Sequence, residues 1–168
     1  MPKFTYKKYS KDDQKAMAAW AADCAERVLP FFEAAYPNDD RPRKAIAACR
    51  EWVRTGVFSM SVIRGASLSA HAAAKIAAEN EAACSAAHAA GQAVATAHVS
   101  QHAYGGAYYA LKAIADNDPA NAEARVEAER NWQAEHLPEH LRQEMMDRII
   151  VQKKGNKILV KIDKSEGF

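Results

Sequence analysis

Charge is missing from the middle of this 168-residue chain. From Ala82 to Leu111 the thirty residues AACSAAHAAGQAVATAHVSQHAYGGAYYAL contain no Asp, Glu, Lys or Arg. Strongly apolar side chains are scarce there too: twelve of the thirty are Ala, and His, Gln, Ser, Thr and Gly interrupt the run throughout. A membrane span needs a denser apolar stretch, so the segment reads instead as the central helix of a soluble bundle, apolar nearly all round. Cysteine is sparse. Cys24, Cys49 and Cys84 are an odd number, far apart and without a CxxC pair. That spacing excludes a disulfide framework and a zinc knuckle and favours buried thiols in a reducing cytosol. The net charge of +2 offers neither a basic surface for nucleic acid nor an acidic mimic of it. The opening MPKFTYKKYSKDDQ lacks the apolar run of a signal peptide, so a cytoplasmic location is expected. Ser-His-Asp order, a P-loop, a dinucleotide fingerprint and a paired-carboxylate motif are all absent from the sequence.

Helix signals fill most of what remains. Ser10 can cap a first helix, KDDQKAMAAWAADCAERV, in which Met17, Trp20, Ala21, Cys24 and Val28 recur on one face and acidic residues occupy the first turn. Pro30 is expected to kink or end it before FFEAAY. In NDDRPRKAIAACREWVRTG, Asp39 or Asp40 supplies an N-cap, Pro42 lies in the first turn, Ile46, Cys49, Trp52 and Val53 form the apolar face, and Gly56 closes the helix. A third helix is expected over about Val62 to Ala78, and Asn80 can cap the uncharged helix, which ends near Asp116. Pro119 starts a charged surface helix, ANAEARVEAERNWQAEH, and EHLRQEMMDRII is a last short one. The tail IIVQKKGNKILVKID places β-branched residues on both sides of Lys154-Gly155-Asn156-Lys157, the pattern of a hairpin turn. The fold class expected is therefore all-α: a multi-helix bundle over residues 1–148 around a central Ala/Gly/His-rich helix, with a hairpin-like or flexible extension over 149–168.

Histidine is the ionisable residue that the central segment retains, and it titrates near neutrality and binds metals. On one continuous helix Cys84, His88, Gly91, Ala95, His98, His102 and Tyr109 share a stripe. His98 and His102 stand at i and i+4, the spacing that lets two imidazoles reach one metal ion. The zincin motif needs Glu directly after the first His, and Val99 occupies that place. His88 lies about 15 Å from His98 along a straight helix, so a third ligand would come from another element. His71 is the candidate, with Asp23 as an acidic alternative; otherwise these are neutral core or boundary histidines. No cofactor is expected, although this set admits a divalent metal. His136 and His140 flank Pro138 and are expected at the surface. Gly91, Gly105 and Gly106 each cost about 1 kcal/mol in a helix interior, which close approach of another backbone would offset; the alternative is a local break that exposes carbonyls near His102 and Tyr104. The cluster Asp39-Asp40-Arg41-Pro42-Arg43-Lys44 reads as a cap with solvated charges, or as Arg41 or Arg43 turning inward to a partner such as Asp23 or outward to an anion.

The ordered blocks WAADCAERVLPFFE, DDRPRKAIAACREWVRTG, SAHAAAKIAAE, AGQAVATAHVSQHAYGGAYYALKAI and NWQAEHLPEHLR resemble the small Ala-rich helical domains grouped as immunity-protein-five-like immunity proteins of bacterial polymorphic toxin systems. The likeness spans about Trp20 to Arg142, and DDRPRKA and ATAHVxxHA are its most specific blocks. It implies a cytoplasmic protein that binds and neutralises a cognate toxin without catalysis. Carried onto this chain, the family-like positions are Asp23, Asp39, Asp40, Arg41, Arg43, His71, His98 and His102. The tail from about Ile149 to Phe168 has no counterpart in the family pattern. Two alternatives stand beside this reading: a metal-binding protein or metal-dependent hydrolase using His71, His98 and His102, and a structural homo-oligomer. Neither nucleic acid nor membrane is expected as a partner.

Overall fold

The computed structural model describes residues 5–168. Its elements run α1 (Lys11–Ala35), α2 (Arg41–Thr55), α3 (Met60–Ile76), α4 (Glu81–Ala95), α5 (His102–Asn117), α6 (Ala122–Glu135), α7 (Glu139–Arg148), β1 (Ile149–Lys154) and β2 (Lys157–Ile162). The all-α bundle and its hairpin are thus both present. Local chemistry sets most of the boundaries. Ser10 Oγ accepts from the Asp13 N–H at 3.1 Å, Ser59 Oγ from that of Val62 at 3.4 Å, and Asn80 Oδ1 from that of Ala83 at 3.0 Å. Each bond satisfies one of the N–H groups that a helix start leaves open. Gly56 closes α2 in the left-handed conformation at φ 69°, where a side chain would be strained.

Two boundaries differ from the sequence-based expectation. Pro30 neither ends nor divides α1, which continues to Ala35. Pro30 and Glu26, the residue whose carbonyl loses its N–H partner, are both exposed, so water can replace that bond. The larger correction concerns the uncharged segment. It is two helices, separated by a turn over residues 96–101, and not one central helix. Thr96 Oγ1 donates back to the Gln92 carbonyl at 3.2 Å, a bond that competes with helix propagation. The freed carbonyls of Thr96 and Ala97 then accept from one side-chain amide of α1, Gln14 Nε2, at 2.9 and 3.1 Å. Across the turn Gln92 meets His102 and His88 meets Tyr109, a reversed order that makes α4 and α5 antiparallel.

This α4–α5 pair is the middle of the molecule. α1, α2 and α3 pack on α4, α1 and α6 pack on α5, and the small side chains of α4 let its neighbours approach closely. Ala83, Ala86, Ala87, Ala89, Ala90 and Ala93 are all buried. Trp20, Phe32, Met17, Leu111 and Met145 supply the bulk of the core around them. Trp20 Nε1 donates to the Gln133 carbonyl at 2.9 Å, and Gln133 Nε2 donates to the Ala107 carbonyl at 3.2 Å. These bonds tie α1, α6 and α5 together. At Gly106 a Cβ would stand 3.1 Å from that of Ala21, which is the close helix approach expected of a helix-interior glycine. β1 and β2 pair antiparallel from Ile149↔Ile162 to Lys154↔Lys157, with Gly155 at φ 62° in the turn. A lone hairpin is marginal in water, and here β2 lies against α5 and α6 while β1 adjoins α7.

The turn between α4 and α5 depends on Gln14 for its carbonyl partners. Gln14→Leu removes both bonds while keeping the volume, and should lower the free energy of unfolding by about 1–3 kcal/mol. A urea-unfolding midpoint unchanged from the parent protein would contradict this.

Candidate functional site

The reversal at residues 96–101 gathers polar side chains on one side of α4. His88 and Gln92 lie one turn apart on that helix, His71 and Ser67 face them from α3, and His102 and Tyr109 face them from α5. The Nδ1 atoms of His71 and His88 are 2.7 Å apart, so one ring donates and the other accepts. The His88 ring also lies 4.9 Å from that of Tyr109. His102 Nδ1 is 2.8 Å from Gln92 Oε1, the geometry of an imidazole N–H donating to the amide oxygen. Ser67 Oγ donates to the Gly91 carbonyl at 3.0 Å.

Glycine makes this arrangement fit. A Cβ at Gly91 would stand 2.7 Å from His71 Nε2, and one at Gly105 would stand 2.6 Å from Gln92 Oε1. Only Gly106 follows the expected backbone approach; Gly91 and Gly105 make room for polar side chains instead. Their cost of about 1 kcal/mol each in a helix is offset by contacts that alanine would forbid.

The predicted site residues separate into three groups. His71 meets His88, while His102 bonds Gln92 and His98 stands exposed on the turn. The i, i+4 pairing of His98 with His102 is replaced because no continuous helix joins them. His88, set aside on the 15 Å distance along a straight helix, is instead central to the cluster. The residues Asp23, Asp39, Asp40, Arg41 and Arg43 lie elsewhere, in surface ion pairs. Arg41 pairs with Asp39 at 2.6 Å, Lys44 with Asp40 at 3.0 Å, and Asp23 with Arg50 at 2.9 Å. Arg43 forms a two-bond pair with Glu33 at 2.5 and 2.7 Å. Neither Arg41 nor Arg43 turns to Asp23. His140 pairs with Asp13 at 2.7 Å and His136 stacks 4.1 Å from Trp132, both at the surface.

As metal ligands, His71 and His88 could supply two imidazoles. Among the described residues no three His, Cys, Asp or Glu side chains come together around one point. Burial also sets the protonation of the cluster. It lowers the His71 pKa to about 4, with the charges of His88 and His102 adding to it. Burial and then Lys112 lower that of His88; burial, then His98 and Lys164, lower that of His102. The three rings are neutral at pH 7. Burial likewise pushes the Cys49 thiol up to about 12, and its Sγ contacts the Ala93 carbonyl at 3.2 Å, so this sulfur packs as a small apolar group.

The family-level comparison covers this whole region. A family model described as Imm-5 like putative immunity protein matches residues 7–140. The chain belongs to that family. Membership agrees with the resemblance seen in the sequence and supports an immunity-type role. The Imm-5-like match contains α1 to α6 and the entire histidine cluster, whereas most of α7 and the hairpin lie beyond it. Searches of curated proteins and of solved structures return no match. Among the described residues no helix is long and apolar enough to cross a membrane.

Neutral, half-buried histidines make stability depend on pH. An unfolded chain binds these protons near the ordinary value of 6.5, and the folded chain binds them only at lower pH. Their stabilising contribution is complete above about pH 6.5 and is lost progressively as the pH falls toward 4. The Tm should drop across this window, and His71→Gln should drop less steeply than the parent; parallel curves would contradict the assignment. Gly91→Ala should destabilise the protein despite the better helix propensity of Ala, and should perturb the His88 ring resonances. A more stable variant with an unshifted His88 would remove the argument from close packing.

Proposed function

We propose that this chain is an immunity protein that binds its cognate toxin one to one, and that the outer face of α3 is the contact surface. One observation carries the placement. Among the described residues seven large apolar side chains are exposed, and six of them, Val57, Phe58, Met60, Val62, Leu68 and Ile76, lie on α3 or the segment leading into it. Val57 is 74% exposed, Ile76 66%, and Val62 and Leu68 57% each. Scattered apolar residues on a protein surface need no explanation, but six on one element mark an interaction site.

Charge narrows the partner. From Trp52 to Ala78 the chain carries no Asp or Glu. Arg64 and Lys75 on this face make no ion pair among the described residues. An apolar surface flanked by unpaired cations fits a toxin surface that is apolar at its centre and acidic at its rim. Where α3 meets the α4–α5 turn, a groove of about 350 Å³ lined by Met60, Arg64, Leu68, His98 and His102 can receive one anchoring side chain. Gly65 belongs to the same face, and a Cβ placed there would meet nothing within 4 Å. Its helix-destabilising effect has no internal compensation, and the open position suits the close approach of a partner's backbone. Occlusion by such a complex neutralises a toxin without any catalytic step in the immunity protein.

Co-expression with the toxin-like product of the adjacent gene should rescue growth, and the two proteins should co-purify in equal amounts. Leu68→Glu and Ile76→Glu keep the fold, since both side chains are exposed, and each should weaken the complex at least about tenfold. Gly65→Ala should raise the stability of the free protein by up to about 1 kcal/mol and yet weaken the complex. A harmless neighbour, or a complex indifferent to all three substitutions, would defeat the proposal; so would a homodimer that dissolves on Leu68→Glu, since a second copy would then be the occupant.

A further inference from the structure

A second concavity, which shares His102 with the α3 groove, is built by α5 and the hairpin together. It encloses about 640 Å³, within the range of small-molecule sites. One wall comes from the bundle, with Gln92, His102, Tyr108 and Tyr109; the other comes from β2 and the residues after it, with Lys161, Lys164 and Phe168. That second wall lies beyond the Imm-5-like match, which ends at residue 140. The chemistry of the lining is one-sided. Aromatic rings and two lysines line the space, and among the described residues no Asp or Glu side chain does. Lys161 and Lys164 make no ion pair among the described residues. Lys164 Nζ sits 6.0 Å from the centre of the Phe168 ring, while Phe168 itself is held by packing 5.0 Å from Tyr104. We infer that this cleft is a binding site for a small aromatic anion: Lys164 meets its charge, the ring packs against the aromatic wall of Tyr108, and His102 with Gln92 offers polar atoms to its edge.

Three features favour that ligand class. The Lys164 ammonium, without an ion pair among the described residues and close to both Phe168 and His102, favours an anionic ligand. Aromatic lining adds sequence-independent stacking for a flat ring. Lys164 is also close enough to His102 to oppose its protonation, so a bound anion would relieve that repulsion. Toxin binding through α3 is not required for any of this, and the two proposals stand or fall separately.

Titration of the full chain with phenyl phosphate and, separately, inorganic phosphate tests the inference by calorimetry and by the ring resonances of His102. Phenyl phosphate is expected to bind at least about tenfold more tightly than inorganic phosphate and to raise the His102 pKa. Lys164→Gln should weaken phenyl phosphate about five- to tenfold while Lys161→Gln, on the outer strand face, should leave it unchanged, and Tyr108→Leu should abolish the preference for the ring. Equal affinity for the two probes, no binding up to about 10 mM, or affinity unaffected by Lys164→Gln would overturn it.

Discussion

One side-chain amide holds the centre of this molecule open. Gln14 of α1 satisfies the carbonyls of Thr96 and Ala97 where the uncharged segment turns back on itself. With those two carbonyls unpaired, the reversal would lose about 1–3 kcal/mol in total, and the helical course through residues 96–101 would compete with it. The reversal is what makes α4 and α5 neighbours. Only then can Gln92 reach His102, His88 reach Tyr109, and α3 lie along α4 with His71 facing His88. A continuous helix of the same composition would have spread these groups over a long axis and left nothing to face them.

Alanine explains why polar contacts matter so much in such a bundle. Alanine faces pack closely but resemble one another, so a helix could slide by a residue or a turn at little cost in buried area. Polar pairs remove that degeneracy. Slipping α4 against α5 would leave Gln92 and His102 facing methyl groups, and slipping α3 would do the same to His71 and His88. Each loss sets a half-buried donor or acceptor against an apolar surface. Gly91 and Gly105 belong to this device, because each supplies the one spot where the opposing polar side chain fits. The histidines therefore act first as register keys. Their depressed basicity follows from the burial that the role demands.

How much of this was legible depends on how local the signal was. Ser10, Asn80 and Gly56 announce their helix boundaries because capping is decided within a few residues, and Gly155-Asn156 announces the hairpin in the same way. The break at residues 96–101 carries no Pro or Gly. Its signals, a back-bonding Thr96 and the nearby Val99 and Ser100, are weak alone, and its decisive partner is Gln14, about eighty residues earlier. Pro30 is the opposite case, a strong local signal overruled by an exposed position. The site was read with the same error: taking the segment as straight led to pairing His98 with His102 and to setting His88 apart, whereas the family likeness rested on block order and survived.

The same geometry bears on how an immunity protein could present a binding face. α3 is amphipathic in an unusual sense, apolar on its outside and polar in part on its inside. Its inner side is fixed to α4 by the Ser67–Gly91 bond and the His71–His88 contact, and by buried Ala70, Ala73 and Ala74. Those directional bonds hold the helix in one position and orientation. Exposed apolar side chains on a loosely held helix would pay an ordering cost on association, and the same side chains on a fixed helix avoid most of it. The polar contacts between α3 and α4 therefore serve the outer surface indirectly: by specifying where α3 sits, they place Leu68 and Ile76 on a rigid frame with Arg64 beside them.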